Sequence, residues 1–376
     1  LLGMAWAGAA SAQAGDARTS IVGGSTTTIK KWPWQIAFLQ STTRRPNAKP
    51  SERFICGGTL IAPTIVVTAT HCAIEIDLSK PEYFSVVGGR TRLDKTSQGT
   101  EVPVKEAYFP LTRSGVPRYL FFFDTRWDVA VLELAEPIDQ PTIKLAGPDE
   151  TDLIRPGTVA YKTGWGMHEE GGEGEVSPVL RLAKTAIQPP RACDESIYDI
   201  FGFPFDRDSQ VCIGDPASKA SPCFGDSGGP AVVRSSDGYR LFGATSFGQG
   251  SRCNPKLVSV DAAIARPDTR DWVAGIAMER TGLDVVGGGA TADSPPAYCV
   301  VPRLNGLKLA KAKAKLRRNR CGVGKLRRLV IQHGKRFRKL DDTVLRASES
   351  TFGFKERGHR VDMVVAKWTP KHRPGE

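Results

Sequence analysis

Between Ile21 and about Val260 the chain is a succession of short apolar runs: "WQIAFLQ", "GGTLIAPTIVVTA", "EYFSVVGG", "VAVLEL", "TVAYKTGWG", "GPAVVR" and "YRLFGATSFG". Each is cut off by glycine, proline or a polar cluster. Many short β-prone runs with frequent turn signals restrict the fold to an all-β barrel or sandwich. The exception is "PDTRDWVAGIAMERTG", Pro267 to Gly282, which has a helical pattern with Trp272, Ile276 and Met278 expected inward and Gly282 as its stop. Two polar stretches, "QSTTRRPNAKPSERF" and "MHEEGGEGEVSP", are poor core material and read as exposed loops.

Charge divides the chain. The formal net charge is +12, yet residues 297–376 hold 22 Lys and Arg against 6 Asp and Glu, leaving 30 basic and 34 acidic residues elsewhere. The basic segment is therefore expected to be a separate unit. Before it, the Gly/Ala/Pro-rich "VVGGGATADSPP" from Val285 to Pro296 reads as a linker. The opening "LLGMAWAGAASAQA" is apolar, rich in small residues and ends in Ala12-Gln13-Ala14, as at a signal-peptidase site. It is too short to span a bilayer, and no other segment is long enough to do so. Eight cysteines in an exported chain point to disulfides, and without a paired CxxC motif zinc is disfavoured.

Within "SPCFGDSGGP", Ser221 to Pro230, Ser227 sits among glycines beside Asp226. Such a composition also suits an ordinary surface turn. Ser227 becomes a nucleophile only if a base can take its proton and a carboxylate can orient that base. The chain has five histidines. His333, His359 and His372 lie in the basic segment and His168 in the acidic loop; His71, in "VVTATHC", closes an apolar run. Asp128 stands at the mouth of "VAVLEL", where an unpaired carboxylate would be costly to bury.

These residues resemble the chymotrypsin-like (trypsin-family) serine endopeptidases. The resemblance rests on "IVGG" at Ile21, "CGGTLIAPTIVVTATHC" around His71, "DVAVLEL" from Asp128, "GWG" at Gly164, "CFGDSGGP" around Ser227 and "TSFG" at Thr245, in the family's order. It implies two six-stranded antiparallel Greek-key barrels with a C-terminal helix over residues 21–282, after a partial signal peptide and short propeptide at 1–20. His71 is then the general base, Asp128 its orienter, Ser227 the nucleophile, and the N–H groups of Gly225 and Ser227 the oxyanion hole. Cleavage before Ile21 would free an amine to pair with Asp226, although Ser20 precedes Ile21 where many relatives have a basic residue. The implied disulfides are Cys56–Cys72, Cys193–Cys212 and Cys223–Cys253, leaving Cys299 and Cys321 to pair with each other.

The resemblance also implies a polypeptide substrate and no cofactor or metal. Ser221 would form the floor of the specificity pocket, a small neutral base suited to apolar side chains, and Ser246, Phe247 and Gly248 the strand that pairs with substrate backbone. After Cys253 the sequence departs from the family pattern. There Lys256 would favour acidic residues and Asp261 basic ones, so three specificities stay open. A catalytically inactive scaffold that binds the cell envelope is the alternative to an enzyme.

Past the linker (283–296), "VPRLNGLKLAKAKAKL", a glycine-containing turn after Cys321 and "VDMVVAK" read as strand, helix and strands. Leu309, Ala312 and Leu316 share one helical face. Residues 297–368 resemble a PASTA domain, a small α+β module of bacterial cell-wall enzymes and receptors, with 369–376 a tail. That resemblance implies binding of peptidoglycan or another anionic envelope polymer, and a secreted or envelope-associated bacterial protein. Nucleic acid is the weaker partner, since Tyr298, Phe337, Phe352, Phe354 and Trp368 form no evident stacking platform.

Overall fold

In chain order the first strands are β1 (Ser25–Thr26), β2 (Gln35–Gln40), β3 (Phe54–Ala62), β4 (Ile65–Thr68), β5 (Phe84–Gly88), β6 (Thr100–Tyr108) and β7 (Ala130–Leu134). The computed structural model describes residues 21–368 apart from 75, 77–78, 112–116, 120–124, 170–173, 195–204, 216, 218–219, 249–252, 289–297, 301–303, 319–320, 332–334, 348–353 and 357–359. The expected leader, the end of the expected linker and the tail lie outside the described residues. Strands β2 to β7 close into a six-stranded barrel in the order β2-β3-β4-β7-β6-β5, antiparallel at each pairing. β7 is buried along its whole length and β2 along all but its last residue, which is why both read as unbroken apolar runs. β6, with one face to solvent, alternates instead.

The following strands are β8 (Lys144–Leu145), β9 (Val159–Gly164), β10 (Arg181–Ala186), β11 (Gln210–Ile213), β12 (Pro230–Ser235), β13 (Gly238–Gly248) and β14 (Ser259–Ala263). They form a second sheet in the order β1-β10-β9-β12-β13-β14-β11, with β8 parallel to β13. Beyond the ends of β10 and β11, Ile187 bridges Ile213, Gln188 N–H donates to the Cys212 carbonyl at 2.8 Å and Gly214 N–H to that of Ala186 at 3.0 Å.

Helix Pro267–Thr281 follows, with proline at its start and Gly282 in the left-handed region (φ 76°) at its end. Trp272 and Ile276 are fully buried as expected, but Met278 is exposed. Two residues from Ile276, Met278 lies about 200° round the helix and turns away from the core. Arg280 ties the helix to the barrel by binding Glu133, the one acidic residue of β7, at 2.6 Å. The stretch expected as linker starts as part of this unit. Val285 is buried, its carbonyl accepts from Leu145 N–H, and Gly287 N–H donates to the Leu145 carbonyl, both at 2.8 Å.

In the basic segment, β15 (Tyr298–Val300) pairs antiparallel with β18 (Phe354–Glu356). β16 (Gly322–Ile331), β17 (Val344–Ala347) and β19 (Arg360–Trp368) form a sheet in the order β16-β19-β17, with β16 and β19 parallel. Helix Leu309–Arg318 supplies Leu309, Ala312 and Leu316 to a separate core with Val344, Val361, Met363 and Val365. Its Lys315 also binds Glu279 of helix Pro267–Thr281 at 2.5 Å. Among the described residues no helix is long and apolar enough to cross a membrane.

Candidate active site

The two halves of the N-terminal unit meet where β3 approaches the loop before β12. Gly57 N–H donates to the Ser227 carbonyl at 2.8 Å, and Gly228 N–H to the Thr245 carbonyl at 2.7 Å. Gly228 has φ +71°, and a Cβ there would come within 2.2 Å of Thr68 Oγ1 and 2.7 Å of the Gly57 carbonyl. Only glycine lets this loop lie against the barrel. Gly225, at φ +92°, turns the chain just before Ser227. Among the described residues no hydrogen bond is made by the N–H of Gly225 or of Ser227, leaving two adjacent donors for a ligand.

His71 lies in the one-turn helix Thr70–Ala73 that follows β4, and the Cys56–Cys72 disulfide fastens that turn to β3. Asp128 precedes β7. Its Oδ2 lies 2.7 Å from His71 Nδ1, and its Oδ1 accepts from His71 N–H at 3.0 Å. A carboxylate can only accept here, so Nδ1 carries the proton and Nε2 is the basic nitrogen. Burial opposes the charged imidazolium, but Asp128 outweighs it, and the His71 pKa lies above its ordinary 6.5. Burial likewise opposes ionisation of Asp128, yet His71 and Ser246 hold its pKa below the usual carboxylate range. The triad candidates thus combine a buried anion with a histidine it orients and polarises.

The Ser246 hydroxyl donates to Asp128 Oδ2 at 2.5 Å, a role the sequence reading, which gave Ser246 only a backbone function, did not assign. Thr70 Oγ1 donates to the Val129 carbonyl at 2.8 Å and steadies the strand on which Asp128 sits. The Tyr119 ring lies 6.2 Å from that of His71, and Phe224, just before Gly225, is half exposed. Both were missed; Tyr119 lies in a stretch read as no element, and Phe224 was seen only as part of the serine motif.

Ile21 is buried beside Ala183 and Ala220. The Asp226 carboxylate accepts from Gly166 N–H and Cys223 N–H, both at 2.9 Å. Burial dominates its ionisation and pushes its pKa up to about 6, despite those bonds and the nearby charges of Lys162 and Arg181. Ser221 is buried and held by its N–H to the Val22 carbonyl at 2.9 Å. Phe247 is half-buried, and a Cβ on Gly248 would meet nothing within 4 Å.

The remaining disulfides are Cys193–Cys212 and Cys223–Cys253. Cys321 is also disulfide-bonded, while the side chain of Cys299, its expected partner, lies outside the described residues. Cys56, Cys72 and His71 have ligand-type atoms within 4.8 Å of one another, but the two sulfurs are bonded together and cannot hold an ion. Of the two residues that left specificity open, Lys256 is exposed, whereas Asp261 is fully buried against Lys162.

Residues 21–273 match the family model described as Trypsin. A protein named "Trypsin" from Saccharopolyspora erythraea is 32% identical over 234 residues, covering 61% of this chain and 87% of that protein.

Proposed function

The chain belongs to the trypsin family of serine proteases, and from that premise we propose that it is an active endopeptidase that cuts polypeptides through an acyl-enzyme. Ser227 attacks the scissile carbonyl, His71 Nε2 takes its proton and returns it to the leaving amine, and Asp128 stabilises the imidazolium. The N–H groups of Gly225 and Ser227 receive the oxyanion. The observation that carries this reading is the His71–Asp128 pair, fully formed and braced by Ser246, beside a serine loop with two unused N–H donors. Under the same reading the second sheet is the family's second barrel, which the hydrogen bonds around Ile187 and Ile213 support.

Activation proceeds by cleavage before Ile21, whose new amine joins buried Asp226 and fixes the oxyanion loop. Ser221 gives the pocket a neutral floor, so apolar side chains are preferred; the Asp261 charge is already taken by Lys162, and Lys256 lies at the surface. Residues 21–282 form the protease, and 297–368 a PASTA-like unit that holds it to an anionic polymer of a bacterial envelope. Three disulfides and the trypsin-like fold favour an oxidising, extracellular setting.

A fluorophosphonate probe tests the catalytic claim. Processed protein should be labelled, and Ser227→Ala should not. Folded, processed protein that takes no label would instead support the inactive scaffold.

A further inference from the structure

The basic residues of the C-terminal unit are not spread evenly over it. Val364 of β19 is paired on one side with Arg327 of β16 and on the other with Arg346 of β17. Residues paired across a sheet project to the same face, so the two arginines flank Val364 in one row. Their backbones stand two strand spacings apart, about 9–10 Å. Lys325, two residues before Arg327, shares the groove, whose volume is about 320 Å³ and whose other lining residues are Ala347, Asp362, Met363 and Val364. Val361, Met363 and Val365 pack in the helix-side core, so the row of arginines is on the open face.

Three cations here face a single carboxylate, and Asp362 Oδ1 is already an acceptor for Lys325 N–H at 2.5 Å. Like charges gathered on one sheet face cost stability rather than add to it. Two guanidinium forks at this spacing can close together on one multi-oxygen anion or grip two neighbouring ones, and phosphate oxygens match the fork bidentately.

We propose that the face formed by Lys325, Arg327 and Arg346 is a binding site for phosphate groups of an anionic polymer. This site is distinct from the lysine-rich helix Leu309–Arg318. The proposal rests on the reading of residues 297–368 as an anion-binding unit and names where on that unit, and for which anion, binding occurs. Leu326, Leu329 and Val330, exposed on β16 beside the groove, make an anionic membrane the rival partner.

The test uses the full chain with inorganic polyphosphate as probe. Arg327→Gln with Arg346→Gln should raise Kd about 10- to 100-fold, as expected when two charge-assisted contacts go. The salt dependence of log K should fall by roughly 1.4, at about 0.7 per lost phosphate contact on a single-stranded polyanion. Lys311→Gln with Arg317→Gln, which removes the same charge from the exposed helix face, should change Kd less than about threefold. Arg327→Lys with Arg346→Lys keeps the charge but not the fork, and should fall between these limits. Thermal unfolding of each variant checks that it is folded. Equal losses from groove and helix overturn the location. Poly-L-glutamate bound as tightly, with the same sensitivity, overturns the phosphate assignment. Binding to phosphatidylglycerol vesicles without binding to polyphosphate overturns the polymer. Wild-type protein that binds none of the three probes removes the anion-binding reading itself.

Discussion

Replacing Lys162 with methionine should be among the most damaging single changes outside the catalytic residues. Lys162 projects from β9 and its Nζ bonds Asp261 Oδ1 on β14; their side chains are 2% and 0% exposed. Asp261 Oδ2 has no other hydrogen-bond partner among the described residues. Burial already raises the Asp261 pKa, and Lys162 is what pulls it back. Loss of one member of a buried pair costs about 3–5 kcal/mol, because a desolvated charge is left alone. At about 2–4 °C per kcal/mol for a domain of this size, Tm should drop by roughly 6–20 °C. Calorimetry or urea unfolding in a Ser227→Ala background excludes self-digestion. The pH dependence identifies the cause. Asp261 has a raised folded-state pKa, so its contribution is most favourable below its unfolded value, near 3.9, and is lost as pH rises through the folded one. The deficit of Lys162→Met should therefore be small at pH 4 and grow toward pH 7. Lys162→Met with Asp261→Val should recover most of the loss, since an apolar pair of fitting volume avoids desolvation. A deficit below about 1 kcal/mol, one independent of pH, or a double variant no better than the single would refute the reasoning.

The pH profile of kcat/KM should rise with deprotonation of His71 at a midpoint above 6.5, because Asp128 raises that pKa. Asp128→Asn should move the midpoint below 6.5 and lower kcat by about 10⁴-fold, the scale such a change has in this kind of triad; a wild-type midpoint at or below 6.5 contradicts the assignment. With residues 1–20 attached, Asp226 at about 6 makes the precursor lose about 3 kcal/mol as pH rises from 4 through 6, at about 1.4 kcal/mol per unit. Asp226→Asn should thus leave the precursor at least as stable at neutral pH by urea unfolding, yet inactive after cleavage before Ile21; a less stable precursor counts against the buried charge. Ser246→Ala removes the hydroxyl bonded to Asp128 and should lower kcat about tenfold, the value of one charge-assisted hydrogen bond; unchanged kcat would make that hydroxyl structural only.

What was legible in the sequence was what local pattern dictates. β2, β4 and β7 show as apolar runs because both of their faces are covered. The turn into Gly282 shows because a left-handed residue there must be glycine. His71 and Asp128 stood out because each polar side chain ends an apolar run and has to find a partner. The three disulfides expected from the family resemblance within residues 21–282 are formed. Helix Leu309–Arg318 followed from periodicity, but the parallel pairing of β16 with β19 did not, because a crossover leaves no local mark. Met278 was misplaced by counting apolar residues instead of tracking their angle, and Val285 because composition alone marked it as linker.

The interactions that escaped were the buried polar ones between distant segments. Ser246 and Asp128 are 118 residues apart, and Lys162 and Asp261 are 99 apart. In the sequence, Lys162 interrupts "TVAYKTGWG" as a solvent-facing strand residue would, and Asp261 does the same in "LVSVDAAIA". Either charge alone would bar its strand from a sheet interior. Together they occupy it because β9 and β14, separated by β12 and β13 in the sheet, bring the side chains into contact across that interior. This compensation changes the meaning of Asp261 for specificity. As a free carboxylate near the pocket it would select a cationic substrate side chain. With its charge already satisfied by Lys162, it no longer does so, and Ser221 is left to define the pocket floor. The pair that stabilises the sheet interior therefore also accounts for the loss of one of the three specificities that the sequence had left open.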